Sequence, residues 1–312
     1  MSPKKIASYS ALLPYFIIPF RAKSAKALFL FLKTIIRDFF WLQFSVKFKL
    51  KKIPVVRVGD ALDDAVPFDP SKINIYLDFV DFWIRPMTFL FKRFGIKKAL
   101  PYCTDFLYLI ETAYSTAAQV YRFRMSTTER PHYTKTAGFR MIHTLDPHLL
   151  CVPSLHVVIV TLARIYYGGV FKQLHIDESE RKLYEKELKD GANDIIETVL
   201  YIKQHSVNCI PAALYMLLYL LKDRFTIDTA VEIINGLFEN DDRISLTEKN
   251  AIHDHIHYMF ERLLLHGVHE DDWAAPIKRW LIGCEQKETA QHTHISEEKN
   301  AEHTPIKAPT HR

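Results

Sequence analysis

Three short segments of the chain carry side chains suited to phosphate chemistry. In chain order they are Arg130-Pro131, Pro153-Ser154-Leu155-His156 and Lys203-Gln204-His205-Ser206. An Arg can hold phosphate oxygens in a bidentate fork, and a Lys adds positive charge. Ser154 is predicted to start an apolar helix, whose free backbone N–H groups also favour an anion. The two histidines can supply a nucleophile and a proton donor, so the segments together predict phosphoryl transfer.

The ordered set resembles the three signature motifs of the type 2 phosphatidic acid phosphatase superfamily. This superfamily includes lipid phosphatases, class A bacterial acid phosphatases, vanadium haloperoxidases and inositol-phosphotransferase-like enzymes. The last branch is the most similar, through Pro-Ser-Leu-His and through the segments Asp146–Cys151, Tyr121–Thr127 and Val66-Pro67-Phe68 with Tyr76. The similarity covers roughly residues 60–222. It implies an all-α helical bundle of the phosphatidic acid phosphatase and vanadium haloperoxidase type, here with additional C-terminal helices.

The resemblance also implies a role for each motif residue. Arg130 and Ser154 would bind the phosphate oxygens, and Lys203 would place a positive charge beside them. His205 would attack phosphorus to form a phosphohistidine, and His156 would protonate the leaving alkoxide. Water or an acceptor hydroxyl would then release the phosphoryl group. Such chemistry depends on positioning and charge stabilisation, and it implies no metal and no other cofactor.

One catalytic position departs from the family pattern. The family carries an Asp four residues after the nucleophilic His, and this chain has Cys209 there. A helix over about 194–222, kinked at Pro211, is predicted to place Cys209 against the His205 ring, because positions i and i+4 share a face. A thiol orients an imidazole poorly, and loss of the equivalent carboxylate in a serine hydrolase costs about 10⁴ in rate.

Three explanations of this departure stay open. A carboxylate from elsewhere in the chain replaces the missing Asp, or the enzyme is slow, or the protein is a catalytically impaired relative that binds anionic lipid or phosphate. In the last case, Cys209→Asp is expected to create activity. A helical scaffold that keeps the fold alone is a further alternative to an enzyme.

The first 52 residues are strongly basic. They hold eleven Lys or Arg and one acid, Asp38, so that this segment carries a charge of +10 and the other 260 residues sum to −5. Large apolar side chains, among them Phe29 and Phe40, lie between these cations. This mixture is typical of helices at an anionic membrane surface and less so of nucleic-acid arms. The expected partners are therefore a phosphorylated lipid or small phosphate ester and an anionic membrane surface, and no nucleic acid.

The apolar stretches are short for membrane spans. A spanning helix needs about 20 mostly apolar residues, and the longest stretches without Asp, Glu, Lys or Arg are Gln204–Leu221 and Pro147–Ala163. The mean hydropathy of −0.06 is low for a multi-pass protein. We expect membrane association, and the residues leave open whether it is peripheral or integral and multi-pass.

Composition favours a helical protein without a disulfide framework. Nine glycines in 312 residues argue against a Gly-rich barrel or a dinucleotide-binding sheet, and the four cysteines form no C-x-x-C pair. The chain is predicted to comprise a basic segment 1–52, a phosphatase-like core 53–222, a C-terminal helical region 223–285 and a disordered tail 286–312.

A histidine cluster in the C-terminal region offers a different chemistry. In Ile252-His253-Asp254-His255-Ile256-His257, the first and last histidines are i and i+4 on a helix face, as metal ligands often are. A zinc protease helix would need a Glu beside the first His and a third ligand. We therefore expect these histidines to lie on the polar face of an amphipathic helix and not to bind a metal.

Overall fold

The structure, a computed structural model, describes residues 4–302, and of residues 290–302 it describes the backbone alone. Helices dominate this part of the chain, which confirms the all-α prediction. The α-helices are α1 Leu12–Ile17, α2 Ala22–Thr34, α3 Trp41–Lys47, α4 Ile73–Leu77, α5 Phe79–Tyr121, α6 Ala137–Leu145, α7 Leu155–Gln173, α8 Glu178–Tyr201, α9 Cys209–Leu221, α10 Ile227–Gly236, α11 Leu246–Gly267 and α12 Ala275–Glu302. A π-helical turn, Ile35–Phe40, joins α2 to α3, and a short 3₁₀ helix covers Ala61–Ala65.

Two short strands align the loops that lead to the motif segments. Strand β1, Val55–Arg57, pairs in parallel with β2, Met125–Thr127. Ser126 of β2 also bridges to Leu150, and its hydroxyl accepts a hydrogen bond from the Val152 N–H at 2.7 Å. The strands therefore fix the approach to the Pro-Ser-Leu-His segment.

The bundle is built around α5 and α7. Helix α5 is interrupted by a kink at Gly95, where φ is 77°, a conformation that glycine adopts without a Cβ clash. Helix α7 packs against both α5 and α8. It is buried on nearly all sides from Val157 to Ala163, as expected for an apolar helix at the centre of a bundle.

One hydrophobic core runs through most of the described chain. It extends from Ile6 to Leu281, and Phe238, Phe260 and Ile277 of the C-terminal region belong to it. The segments predicted as 1–52, 53–222 and 223–285 therefore share a core and do not pack as separate bodies.

One prediction about element boundaries is wrong. The helix predicted over 194–222 is interrupted: α8 ends at Tyr201, residues 202–208 form a loop, and α9 begins at Cys209. Within this loop Lys203 has a φ of 56°, outside the right-handed helical region. Helix α12 runs to Glu302, into the segment 286–312 for which a disordered tail is predicted. Residues 303–312 lie outside the described part.

Ion pairs explain why α12 extends into the polar tail. The Arg124 guanidinium donates to the carboxylate of Glu285 at 2.9 Å, and Arg57 lies 3.5 Å from the carboxylate of Glu288. These contacts join the helix to residues near β1 and β2, which composition alone does not indicate.

One helix in the described chain, α7, is long and apolar enough to cross a membrane, and two thirds of its apolar window is buried inside the protein. A buried core helix meets the same criterion. The expected membrane association is therefore not decided by this helix.

Candidate active site

Ser154 and His156 lie at the start of α7. Ser154 is the N-cap residue, and its hydroxyl accepts a hydrogen bond from the Val157 N–H at 3.5 Å. Side-chain capping of this kind is what Ser favours at a helix start. The carbonyl of Pro153 accepts a 2.6 Å hydrogen bond from the Tyr121 hydroxyl. The end of α5 therefore holds the start of α7 in place.

The His156 ring lies in an aromatic setting. It packs on the rings of Tyr76 and Phe79, with centroid separations of 4.7 and 4.6 Å. Burial lowers the pKa of His156 to about 4, because a charged imidazolium loses its hydration there. The ring is therefore neutral near pH 7 in the absence of a bound anion.

The structure brings His205 together with His156 and Ser154. The His205 Nε2 atom is 3.3 Å from His156 Nδ1 and 3.3 Å from the Ser154 hydroxyl oxygen. Burial lowers the pKa of His205 well below its usual value, and the neighbouring His156 lowers it further. Both rings are therefore neutral near pH 7, and a neutral imidazole nitrogen is the form that can act as a nucleophile.

Segment 58–66 holds the loop that carries His205. The Lys203 ammonium donates to the carbonyl oxygens of Asp63 and Val66, the latter at 2.5 Å. The Val207 N–H donates to the Asp63 carboxylate at 2.8 Å. Lys203, predicted to lie beside the phosphate, thus anchors the loop, and it lines the same polar cavity as His205. Burial raises the pKa of Asp63, while its hydrogen bonds and the charge of Lys203 act in the opposite direction.

Arg130 acts electrostatically on His205 but bonds to an acid. Its guanidinium donates to the Asp146 carboxylate at 2.8 Å and to the Asp146 carbonyl at 3.3 Å, and its buried Nε atom has no hydrogen-bond partner in the described residues. Its positive charge lowers the pKa of both His205 and His148. Arg130 therefore contributes its charge to the electrostatics of the site.

Cys209 takes a different position from the one predicted. It is the first residue of α9, and its sulfur accepts a hydrogen bond from the Ser206 N–H at 3.4 Å. The placement of Cys209 against the His205 ring assumed a continuous helix, and the loop over 202–208 removes that assumption. The buried His205 Nδ1 atom has no side-chain partner within the described chain, so no described carboxylate takes the place of the Asp that the family carries. A backbone hydrogen bond with Cys151 acts to raise the pKa of His205, against the effect of burial.

A cavity of about 320 Å³ reaches the histidines. His156, His205 and Asp146 line it together with apolar side chains. Its exposed lining residues are all apolar, with exposed fractions between 37% and 54%: Phe40, Leu77, Val80, Met141 and Leu145. The site thus opens through an apolar rim.

A second cavity, of about 520 Å³, has a polar lining. It includes Lys203, Asn208, Asp60 and His255, and His205 also lines it. The His205 side chain therefore separates an apolar cavity from a polar one.

Sequence reasoning missed His148. This residue is buried, lines the apolar cavity, and places its Nε2 atom 2.7 Å from the Thr128 hydroxyl and 3.6 Å from the Cys151 sulfur. Its backbone N–H donates to the Asp146 carboxylate at 2.9 Å. Burial lowers its pKa well below the usual value. His148 lies within the segment Asp146–Cys151, which resembles the inositol-phosphotransferase-like branch, but this resemblance assigns no role to the residue.

The three histidines of α11 contact three different hydrogen-bond partners. His253 Nε2 is 2.9 Å from the Leu237 carbonyl, and His257 Nε2 is 2.7 Å from the Asn235 amide oxygen. His255 Nε2 is 2.7 Å from the Asn208 amide oxygen. Among the described residues no group of three or more His, Cys, Asp or Glu is arranged to hold a metal ion.

Comparison of the chain with protein-family models, with curated proteins and with solved structures finds no match. The resemblance to the phosphatidic acid phosphatase superfamily therefore rests on the motif residues of the sequence.

Proposed function

We propose that this protein is a phosphatase or phosphotransferase that acts on a phosphate ester through a phosphohistidine at His205, on a bundle of the phosphatidic acid phosphatase and vanadium haloperoxidase type. The observation that supports this most is the meeting of His205, His156 and Ser154, about fifty residues apart in sequence, at a cavity. Two imidazoles and a hydroxyl in contact can provide the nucleophile, the acid and a phosphate ligand.

The reaction proceeds in two displacements. His205 Nε2 attacks phosphorus, the P–O bond of the ester breaks, and His156 donates its proton to the leaving alkoxide. Neutral His156 then takes a proton from water or an acceptor alcohol, whose oxygen attacks phosphorus and breaks the P–N bond. The burial that lowers the pKa of His156 is opposed by a bound phosphate, because an adjacent negative charge favours the imidazolium. Substrate binding thus charges the acid that the first step needs.

The two rings must separate for a phosphoryl group to enter. At 3.3 Å their nitrogens are in direct contact, whereas phosphorus and the leaving oxygen both have to fit between them. His156 lines the cavity and packs on Tyr76 and Phe79. We therefore expect its ring to move away from His205 when the phosphate ester binds. Arg130, held by Asp146, supplies its remaining donors to the phosphate.

The substrate is a lipid phosphate. The cavity wall is mainly apolar and its exposed rim is entirely so, which suits a phosphate ester with a hydrocarbon chain better than a polar sugar phosphate. The +10 charge of residues 1–52 supports the same choice, because such lipids lie in anionic membranes.

Phosphate release from a short-chain phosphatidic acid and from 4-nitrophenyl phosphate tests the proposal. The wild type is expected to hydrolyse both, His205→Ala to abolish release, and His156→Ala to slow the ester with the poorer leaving group more. His253→Ala, a half-buried histidine on α11, is the matched control and is expected to keep full activity. Absence of release by the wild type, or release unchanged by His205→Ala, would refute the mechanism.

A catalytically impaired relative that binds anionic lipid or phosphate is the second candidate. It is favoured by the absence of a carboxylate at the Nδ1 atom of His205, since an imidazole without an orienting carboxylate is a weaker nucleophile. Vanadate or phosphate binding that Arg130→Ala weakens, combined with absence of turnover, would select this candidate over the enzyme.

A further inference from the structure

The helical segment 22–47 has one apolar face that packs on the protein and another that does not. Ala27, Phe31 and Leu42 are buried, and α2 packs along α5. On the other side an N-terminal stripe is exposed, with exposed fractions between 41% and 64%: Phe29, Leu32, Ile36 and Phe40. The intervals of three and four residues place these side chains along one line of the helix.

Positive charge accompanies the stripe. Lys23, Lys26, Lys33 and Arg37 are all exposed on the same helical segment. The acid of residues 1–52, Asp38, is 2% exposed and is bonded to the guanidinium groups of Arg37 and Arg122. The exposed face of segment 22–47 therefore presents apolar and cationic groups with no carboxylate.

The stripe is continuous with the rim of the apolar cavity. Phe40 is its last member and also lines the cavity that reaches His205. Leu77, Val80 and Met141, exposed around the same cavity, extend the apolar surface beyond the helix. Solvent-exposed apolar groups arranged in one contiguous area mark a binding surface.

We propose that the N-terminal stripe docks the protein on the surface of an anionic phospholipid bilayer. Apolar side chains would enter the acyl boundary while the lysines meet anionic headgroups. Because the opposite face of α2 is packed on α5, this helix lies in the interface and does not span the membrane. Docking through Phe40 would bring the cavity mouth to the lipids, and only this last consequence rests on the proposed function.

Binding to vesicles tests the docking surface. The wild-type protein is mixed with phosphatidylcholine vesicles with and without phosphatidylglycerol, and the bound fraction is measured by flotation at low and high salt. Binding is expected with phosphatidylglycerol and is expected to weaken with salt, because exposed charges are screened. Absence of binding to the anionic vesicles would overturn the proposal.

Two variants separate the apolar and the cationic contributions. Phe29→Asp with Ile36→Asp is expected to lower the partition coefficient more than about tenfold, since two apolar insertions are lost. The matched control, Leu246→Asp with Leu265→Asp, alters two side chains of α11 that are 73% and 71% exposed and is expected to bind as the wild type does. Equal loss in both pairs would overturn the assignment to the stripe.

The charge variant is Lys26→Glu with Lys33→Glu. It is expected to weaken binding by at least about fivefold per lysine, the effect of one cation near an anionic surface. Lys182→Glu with Lys186→Glu, on exposed positions of α8, is the control of equal charge. If both pairs weaken binding equally, net charge alone acts and the surface is not specific.

Other occupants give distinct results. A dimer that dissociates in the Phe29→Asp and Ile36→Asp variant, without vesicle binding by the wild type, would assign the stripe to a second copy of the chain. Nucleic-acid binding that competes with vesicles, and that survives the apolar substitutions, would show that charge is the recognised feature. Either result would replace the membrane as the partner.

Failure of docking and failure of the proposed function are distinguishable. Turnover of 4-nitrophenyl phosphate without vesicles measures the histidine site alone and is expected to be unaffected by Phe29→Asp with Ile36→Asp. Wild-type vesicle binding without phosphate release would refute the function and support the surface. Turnover of the soluble ester without vesicle binding would support the proposed function and overturn the docking surface.

Discussion

Replacement of Cys209 by Asp separates two accounts of the site. A continuous helix would bring the new carboxylate under the His205 ring, where it would raise activity. In the structure Cys209 begins α9 and its sulfur bonds to the Ser206 N–H at 3.4 Å. We therefore expect Cys209→Asp to destabilise the protein and to leave turnover no higher than that of the wild type.

The size of the destabilisation follows from burial. Cys209 is fully buried, and the carboxylate of Asp63 acts on it electrostatically. A buried charge without a compensating partner costs about 3–5 kcal/mol. With an unfolding entropy of about 2 cal/mol/K per residue, a chain of this length would lose about 5–8 °C in Tm.

The loss is expected to depend on pH. Burial raises the pKa of the introduced acid above its unfolded value near ~3.9. A raised folded-state pKa means that stability is fully present below the unfolded pKa and is lost as pH rises through the folded pKa. The Tm difference between Cys209→Asp and the wild type should therefore shrink in acid.

Thermal unfolding over a range of pH, together with phosphate release, measures both effects. Cys209→Asn is the control, since it has the same shape without the charge and is expected to show no comparable pH dependence. A rise in turnover of about tenfold or more in Cys209→Asp with an unchanged Tm would show that residue 209 faces the imidazole. The placement of the loop over 202–208 would then be refuted.

Two further substitutions test the surroundings of the site. Asp63→Asn is expected to lower kcat by up to about 10²-fold, because it weakens the acceptor that holds the loop of His205 and small displacements of a catalytic group cost this much. The neighbouring exposed Asp64→Asn is its control, and equal kcat values in the two variants would contradict the anchoring role. Glu197 has a pKa raised to about 7, mainly by burial. The stability that this raised pKa contributes is therefore present below the ordinary glutamate pKa of 4.5 and is lost as pH rises through about 7. Glu197→Gln should then be more stable than the wild type by up to about 3 kcal/mol above that range. Denaturant unfolding at about pH 5 and about pH 8 checks this, and an unchanged pH dependence in the variant would contradict it.

The convergence of the motif residues was predictable because their chemistry is recognisable in the sequence. Ser154 and His156 lie at a helix start, as Pro153 and the apolar run after it indicate. Their contact with His205 joins segments about fifty residues apart. No local pattern specifies that contact, so it was predicted only from the combination of residue types.

The wrong helix over 194–222 shows where local pattern fails. Residues on both sides of 202–208 favour a helix, and Pro211 is the obvious interruption. The helix instead ends where Lys203 adopts a positive φ and donates to carbonyl groups about 140 residues earlier in the chain. Partners at that distance in sequence hold the lysine at the point where the helix ends, and they cannot be inferred from periodicity.

The placement of the C-terminal region was missed for a similar reason. The spacing of Ile252, Ile256 and Phe260 predicts an amphipathic helix without saying what its apolar side covers. In the structure all three enter the core that includes α7 and α9, and His255 contacts Asn208 in the loop region of the site.

This shared core bears on how the polypeptide must be made. A fragment that stopped at residue 222 would leave Leu214, Leu217 and the other buried side chains of α9 without α11, which packs against this helix. Such a truncated chain would leave the ribosome with an exposed apolar surface on α9 and would be expected to aggregate. The loop of His205, which precedes α9, is therefore expected to reach its final packing only after α11 has been translated.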